Sequence, residues 1–123
     1  MPSRAHLESF VAGCFRSVWA LELLKFLADH PGAFFSAVQL IDALRASEAV
    51  VAQGVANLTA AGLAVVDGEG RVALAEGSGE QRALTKAAID FYAKSPDKVR
   101  RLIVAQSNPG VTAFADAFRL RKD

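Results

Sequence analysis

The chain has little of what catalytic, metal and membrane chemistry requires. It contains one cysteine and two histidines. A single thiol excludes an internal disulfide and a cysteine-based zinc site. His6 and His30 lie far apart in sequence, each without a partner at metal-ligand spacing. No apolar run approaches the roughly 18 residues needed to cross a bilayer. The first residues, Met1-Pro2-Ser3-Arg4-Ala5-His6, lack the basic region, apolar stretch and cleavage site of a secretory signal, so a cytoplasmic location is expected. Gly68-Glu69-Gly70 and Gly77-Ser78-Gly79 lack the following residues of a phosphate-binding loop, and no nucleophile–base set is present. The expectation is a protein without catalysis, cofactor, metal or membrane span.

What is present is a globular composition. The 123 residues are 52% hydrophobic and 22% charged, with 24 alanines that favour helix. That length suits one domain with a single core. The net charge of +1 excludes a histone-like polyanion binder, but the charge is uneven. Residues 1–79 carry 5 Lys/Arg against 8 Asp/Glu, and residues 80–123 carry 9 against 5. A basic C-terminal third suits an acidic partner, or is the solvated face of helices.

Apolar residues recur near a 3.6 period from Leu7 to Leu27. Gly13 and Ser17 suggest a break, giving helices over about 5–13 and 17–29, the second stopped by His30-Pro31-Gly32. Ser36 and Gln39 have capping-box spacing and open a helix over about 37–45. Ser47 caps the next, about 48–61, with Val51, Val55 and Leu58 inward and Gly62 as its left-handed stop. The period then changes. Leu63 to Val66 and Arg71 to Leu74 read as strands around the turn Asp67-Gly68-Glu69-Gly70. Helices resume over about 80–94, from Ser95-Pro96 to about 106, and over about 111–121.

Helix, helix, tight turn, helix and hairpin over residues 17–75 resemble a winged helix-turn-helix domain of the MarR and ArsR groups of bacterial regulators. Ser36 to Leu44 looks like the first helix of the helix-turn-helix and Ser47 to Leu58 like its recognition helix. Ala61-Gly62-Leu63 with Val65-Val66 looks like the start of the wing, and Asp67 to Gly70 like its tip. The resemblance implies a mainly α fold with a small β-hairpin. Its winged core would be residues 17–79, flanked by an N-terminal extension (1–16) and a C-terminal, dimer-forming extension (80–123). It also implies regulation of transcription through double-stranded DNA. Phe10, Phe15, Phe91, Phe114 and Phe118 are more aromatic mass than a small winged core needs, which fits a homodimer on a palindromic operator.

In that docking mode helix 48–61 lies in the major groove and hairpin 63–75 along the backbone. Arg45, Ser47, Glu48, Ala49, Gln53, Asn57 and Arg71 are then the candidate DNA-binding residues. Gln53 and Asn57 can pair with adenine, alanine methyls can touch thymine methyls, and Glu48 can accept from cytosine. Ser47 is a cap or a phosphate contact. Arg45 and Arg71 are the local cations. The outer helix face, Glu48, Ala49, Ala52, Gln53, Ala56, Asn57 and Ala60, carries no positive charge. The alternative is a winged-helix interaction module that has lost DNA binding and holds a protein partner. Cys14 is a small core residue or a thiol sensor. Trp19, Phe34 and Phe35 are core or the lining of an effector pocket.

Overall fold

The structure, a computed structural model, describes residues 3–107. The chain is mainly helical with one two-stranded antiparallel sheet. Its elements are α1 (Arg4–Cys14), α2 (Val18–Asp29), α3 (Ala37–Leu44), α4 (Glu48–Ala60), β1 (Ala64–Val66), β2 (Val72–Leu74), α5 (Gly79–Lys94) and α6 (Pro96–Ser107). The expected helix over 111–121, with Phe114 and Phe118, lies outside the described residues.

Serines set most helix starts. Ser3, Ser17, Ser36, Ser47 and Ser78 each accept a hydrogen bond from the backbone N–H three residues on, satisfying one of the orphan amides of the first turn. At Ser36 the box is complete: the Ser36 N–H donates to Gln39 Oε1 at 2.8 Å and the Gln39 N–H to Ser36 Oγ at 3.2 Å. The α4 terminus is a Schellman motif. Gly62 has φ +75, the Leu63 N–H donates to the Leu58 carbonyl, and the Gly62 N–H to that of Thr59.

Helix α2 is the centre of the core. Ala20, Leu21, Leu23, Leu24 and Leu27 are buried on it, because its apolar residues cover more than half its circumference. Helix α4 crosses it closely at Gly54. A Cβ built there would stand 3.3 Å from Leu23 Cδ2 and 3.8 Å from the Ala20 backbone. Helix α3 also packs against α4 and joins the same core through Leu40.

The hairpin pairs Ala64 with Leu74, Val65 with Ala73 and Val66 with Val72. Its tip turns on Asp67, whose carbonyl accepts from Gly70, with Gly70 at φ +79. Phe35 adds an isolated bridge on the far side of β2, exchanging two 2.8 Å hydrogen bonds with Val72. The sequence pattern does not show this bridge. Phe35 is the residue before a capped serine, yet it works as a one-residue third strand, with its ring against Phe26 and His30.

Helices α1, α5 and α6 pack on one another and join the same core through Val11, Phe15, Ala88, Phe91, Val99 and Ile103. The expected aromatic surplus is therefore absorbed in part within the chain. Phe15 and Phe91 are buried, and Phe10 packs edge-on against Phe15. Tyr92 of α5 donates to Glu22 of α2 at 2.7 Å. Burial, and then this acceptor, hold the Tyr92 hydroxyl pKa above its ordinary value. Among the described residues no buried side-chain polar atom lacks a partner, and no helix is long and apolar enough to cross a membrane.

Gly54→Val places two methyl groups where Leu23 and Ala20 already stand. It is expected to destabilise the fold by about 1–3 kcal/mol, measured by urea unfolding. An unchanged midpoint would show that α2 and α4 are not held at this separation.

Candidate nucleic-acid interface

The surface around α4 gathers most of the residues singled out from sequence. Val51, Gly54 and Leu58 point into the core, and Glu48, Ala49, Ala52, Gln53, Ala56 and Ala60 are exposed. No other element among the described residues covers this side, and Gln53 projects from the middle of a neutral, exposed helix face. Ser47 caps the helix, its Oγ accepting from the Val50 N–H at 3.1 Å. Glu48 sits in the first turn, where a carboxylate interacts favourably with the helix dipole. That gives Glu48 a structural role of its own.

Arg45 ends α3 in the left-handed conformation, φ 53 and ψ 43, the one described non-glycine residue at positive φ. The Arg45 and Ala46 N–H groups both donate to the Ile41 carbonyl. Glycine usually fills such a position, and a residue with a Cβ costs roughly 1–2 kcal/mol there. Arg45 is exposed, with no acid paired to it among the described residues. A strained cation at the corner between α3 and α4 points to a use for its side chain.

Two candidates are held by partners within the chain. Asn57 was expected on the open face, and it is part-buried with both amide atoms hydrogen-bonded. Its Oδ1 accepts from the Arg16 N–H at 2.8 Å, and its Nδ2 donates to the Cys14 carbonyl at 2.7 Å. Asn57 therefore fastens the α1–α2 junction to α4, and pairing with a base would compete with these two bonds. Arg71 was expected as a local cation able to touch phosphate. Its Nε lies 2.9 Å from Asp67 Oδ2 and 3.4 Å from Glu69 Oε2, so the hairpin tip neutralises its own cation. Asp67 Oδ1 also accepts from the Glu69 and Arg71 N–H groups, each at 2.9 Å. These bonds, led by that from the Arg71 backbone, hold the Asp67 carboxyl below the usual range.

The remaining sequence candidates are also placed. Cys14 is half-buried, and burial pushes its thiol pKa up. A redox-sensing thiol needs the opposite shift. Trp19 and Phe34 stay 42% and 43% exposed. They are not core, and they line neither of two surface grooves. One groove, about 370 Å³, runs between the end of α2, the hairpin and α5, past Leu63, Leu74 and Thr85. The other, about 470 Å³, runs between α1 and α5, past Leu7 and Phe91. Of the basic C-terminal residues, Lys98 pairs with Glu8 at 3.3 Å, Arg100 with Asp97 at 3.1 Å, and Arg82 donates to the Gly77 carbonyl. Among the described residues no group of His, Cys, Asp and Glu could hold a metal ion. Comparisons with protein-family models, curated proteins and solved structures found no match.

Two outcomes follow. Arg45→Gly should raise stability by about 1 kcal/mol, read as a higher melting temperature. A fall would show that the arginine side chain itself stabilises the corner. Iodoacetamide should modify native Cys14 at neutral pH far more slowly than the unfolded chain. Equal rates would revive the sensor.

Proposed function

We propose that this chain is a winged helix-turn-helix regulator of transcription, similar to the MarR and ArsR groups, that binds double-stranded DNA as a homodimer. The observation that carries this is the open side of α4. Helices α3 and α4 meet at a strained turn, a hairpin follows, Phe35 bridges to that hairpin, and the one long polar side chain at the middle of α4 is left uncovered. A lone helix face of this kind fits the major groove, where Gln53 can pair with adenine through its carbonyl and amide. The exposed alanines suit thymine methyls. Arg45 stands at the N-terminal end of the face as a phosphate contact, and the Ser47 hydroxyl can still donate while it caps.

Few cations face this way. Phosphate contacts dominate non-specific affinity, so binding should be weak and its salt dependence shallow. A second reading has a specific observation behind it: the acid-neutralised hairpin tip and the neutral α4 face suit a protein partner better than phosphates. The two readings diverge in one experiment. The chain is titrated with random fragments of the source genome at increasing salt, and retained DNA is sequenced. The DNA reading expects a motif with two half-sites about one helical turn apart. No retention at low salt would leave the protein-binding reading.

The tip supplies a second test. Asp67→Asn keeps an oxygen for the two backbone N–H groups but removes the charge paired with Arg71. With Glu69→Gln it frees the guanidinium, and DNA affinity should rise about equally on all sequences. Unchanged affinity would show that the hairpin does not approach DNA. The same pairing gives a pH direction. The Asp67 contribution to tip order is present above the unfolded carboxyl pKa and is lost as pH falls through the lower folded value.

A further inference from the structure

The clamp that engages the Asn57 amide brings another residue to the interface. Asn57 holds the main chain of Cys14 and Arg16 against the C-terminal half of α4. Arg16 is exposed, and among the described residues no acid is paired with it and no carbonyl accepts from its guanidinium. Nothing in the sequence suggests it, since it lies 41 positions from Asn57. We infer that Arg16 is a phosphate contact for duplex DNA at the C-terminal end of α4, and that Asn57 is its positioning residue. The inference rests on the DNA-binding reading above and deepens it.

Spacing supports the assignment. From Ser47 to Asn57 α4 rises about 15 Å. Arg45 precedes the first of these residues and Arg16 is tied to the second. These two unpaired arginines thus follow the two ends of the reading face, whose length is comparable to the roughly 12 Å width of the major groove. A helix that crosses that groove has a phosphate strand near each end. Arg16 also restores the cation that Asp67 and Glu69 remove by holding Arg71.

The test is a salt titration of the full chain with a pool of random-sequence 20-base-pair duplexes. It compares wild type, Arg16→Gln, Arg45→Gln and Asn57→Ala, with Arg101→Gln as an exposed control. Each phosphate contact contributes about 0.9 to the slope of log affinity against log salt. Arg16→Gln and Arg45→Gln should each make the slope shallower by about that much per protomer, and Arg101→Gln should not. The melting temperature of Arg16→Gln should stay at the wild-type value. Asn57→Ala should lower the melting temperature and also lose the Arg16 increment, so that adding it to Arg16→Gln changes the slope no further. If Arg45→Gln changes the slope and Arg16→Gln does not, the Arg16 assignment is overturned and the DNA reading stands. If wild type binds no duplex at low salt, both are overturned.

Discussion

The contact on which this structure depends is the close crossing of α2 and α4 at Gly54. Without a Cβ there, α4 lies directly against Leu23 and Ala20. Val51 and Leu58 then complete a buried stripe, and the opposite side of the helix is left to solvent. The Asn57 clamp sits one turn further on and fixes a second contact, between α4 and the chain just before α2. Together they set both the depth and the rotation of α4. Which residues it displays follows from that, not from the helix propensity of an alanine-rich segment.

Charge placement is the second constraint. A surface that binds duplex DNA gains affinity by neutralising phosphates, and the proposed one on α4 has few cations to offer. The fold distributes them unevenly. Arg71 is held by two acids at the hairpin tip, Lys98 and Arg100 are paired on α6, and Arg82 donates to the Gly77 carbonyl. Arg45 and Arg16, next to the two ends of α4, are among the described cations with no acid paired to them. An arginine in the left-handed corner of α3 costs conformational energy that glycine would avoid, which argues for selection on its side chain. On the proposed reading, a surface with so few cations would discriminate more through base contacts than through electrostatic grip.

Much of the fold was legible in the sequence because it is locally encoded. Serine caps, the Ser36–Gln39 box, Gly62 and the Asp67–Gly70 turn act over three or four residues, and each marks an element boundary. The bridge from Phe35 to Val72 was not legible, since one strand residue has no period to detect. The intrachain partners of Asn57 and Arg71 were missed for related reasons. A helical wheel puts Asn57 at the edge of the outer face, and it cannot show that the loop between α1 and α2 returns 41 positions later to use the amide. Arg71 does lie near its acids in sequence, and the alternation of Asp67, Glu69 and Arg71 across a tight turn was an available signal for the pairing. Arg16 had no signal of its own; only its tie to Asn57 brings it to α4.

The central claim is that the open side of α4, bracketed by Arg16 and Arg45, is the DNA-contacting surface. It is tested most directly by amide chemical-shift mapping of the isotope-labelled chain on adding a duplex from the random pool. The account predicts that the largest shifts fall on Arg45 to Ala60 and on Arg16 and Ser17, with α5 and α6 little changed. Shifts confined to α5 and α6, or none at low salt, would contradict it.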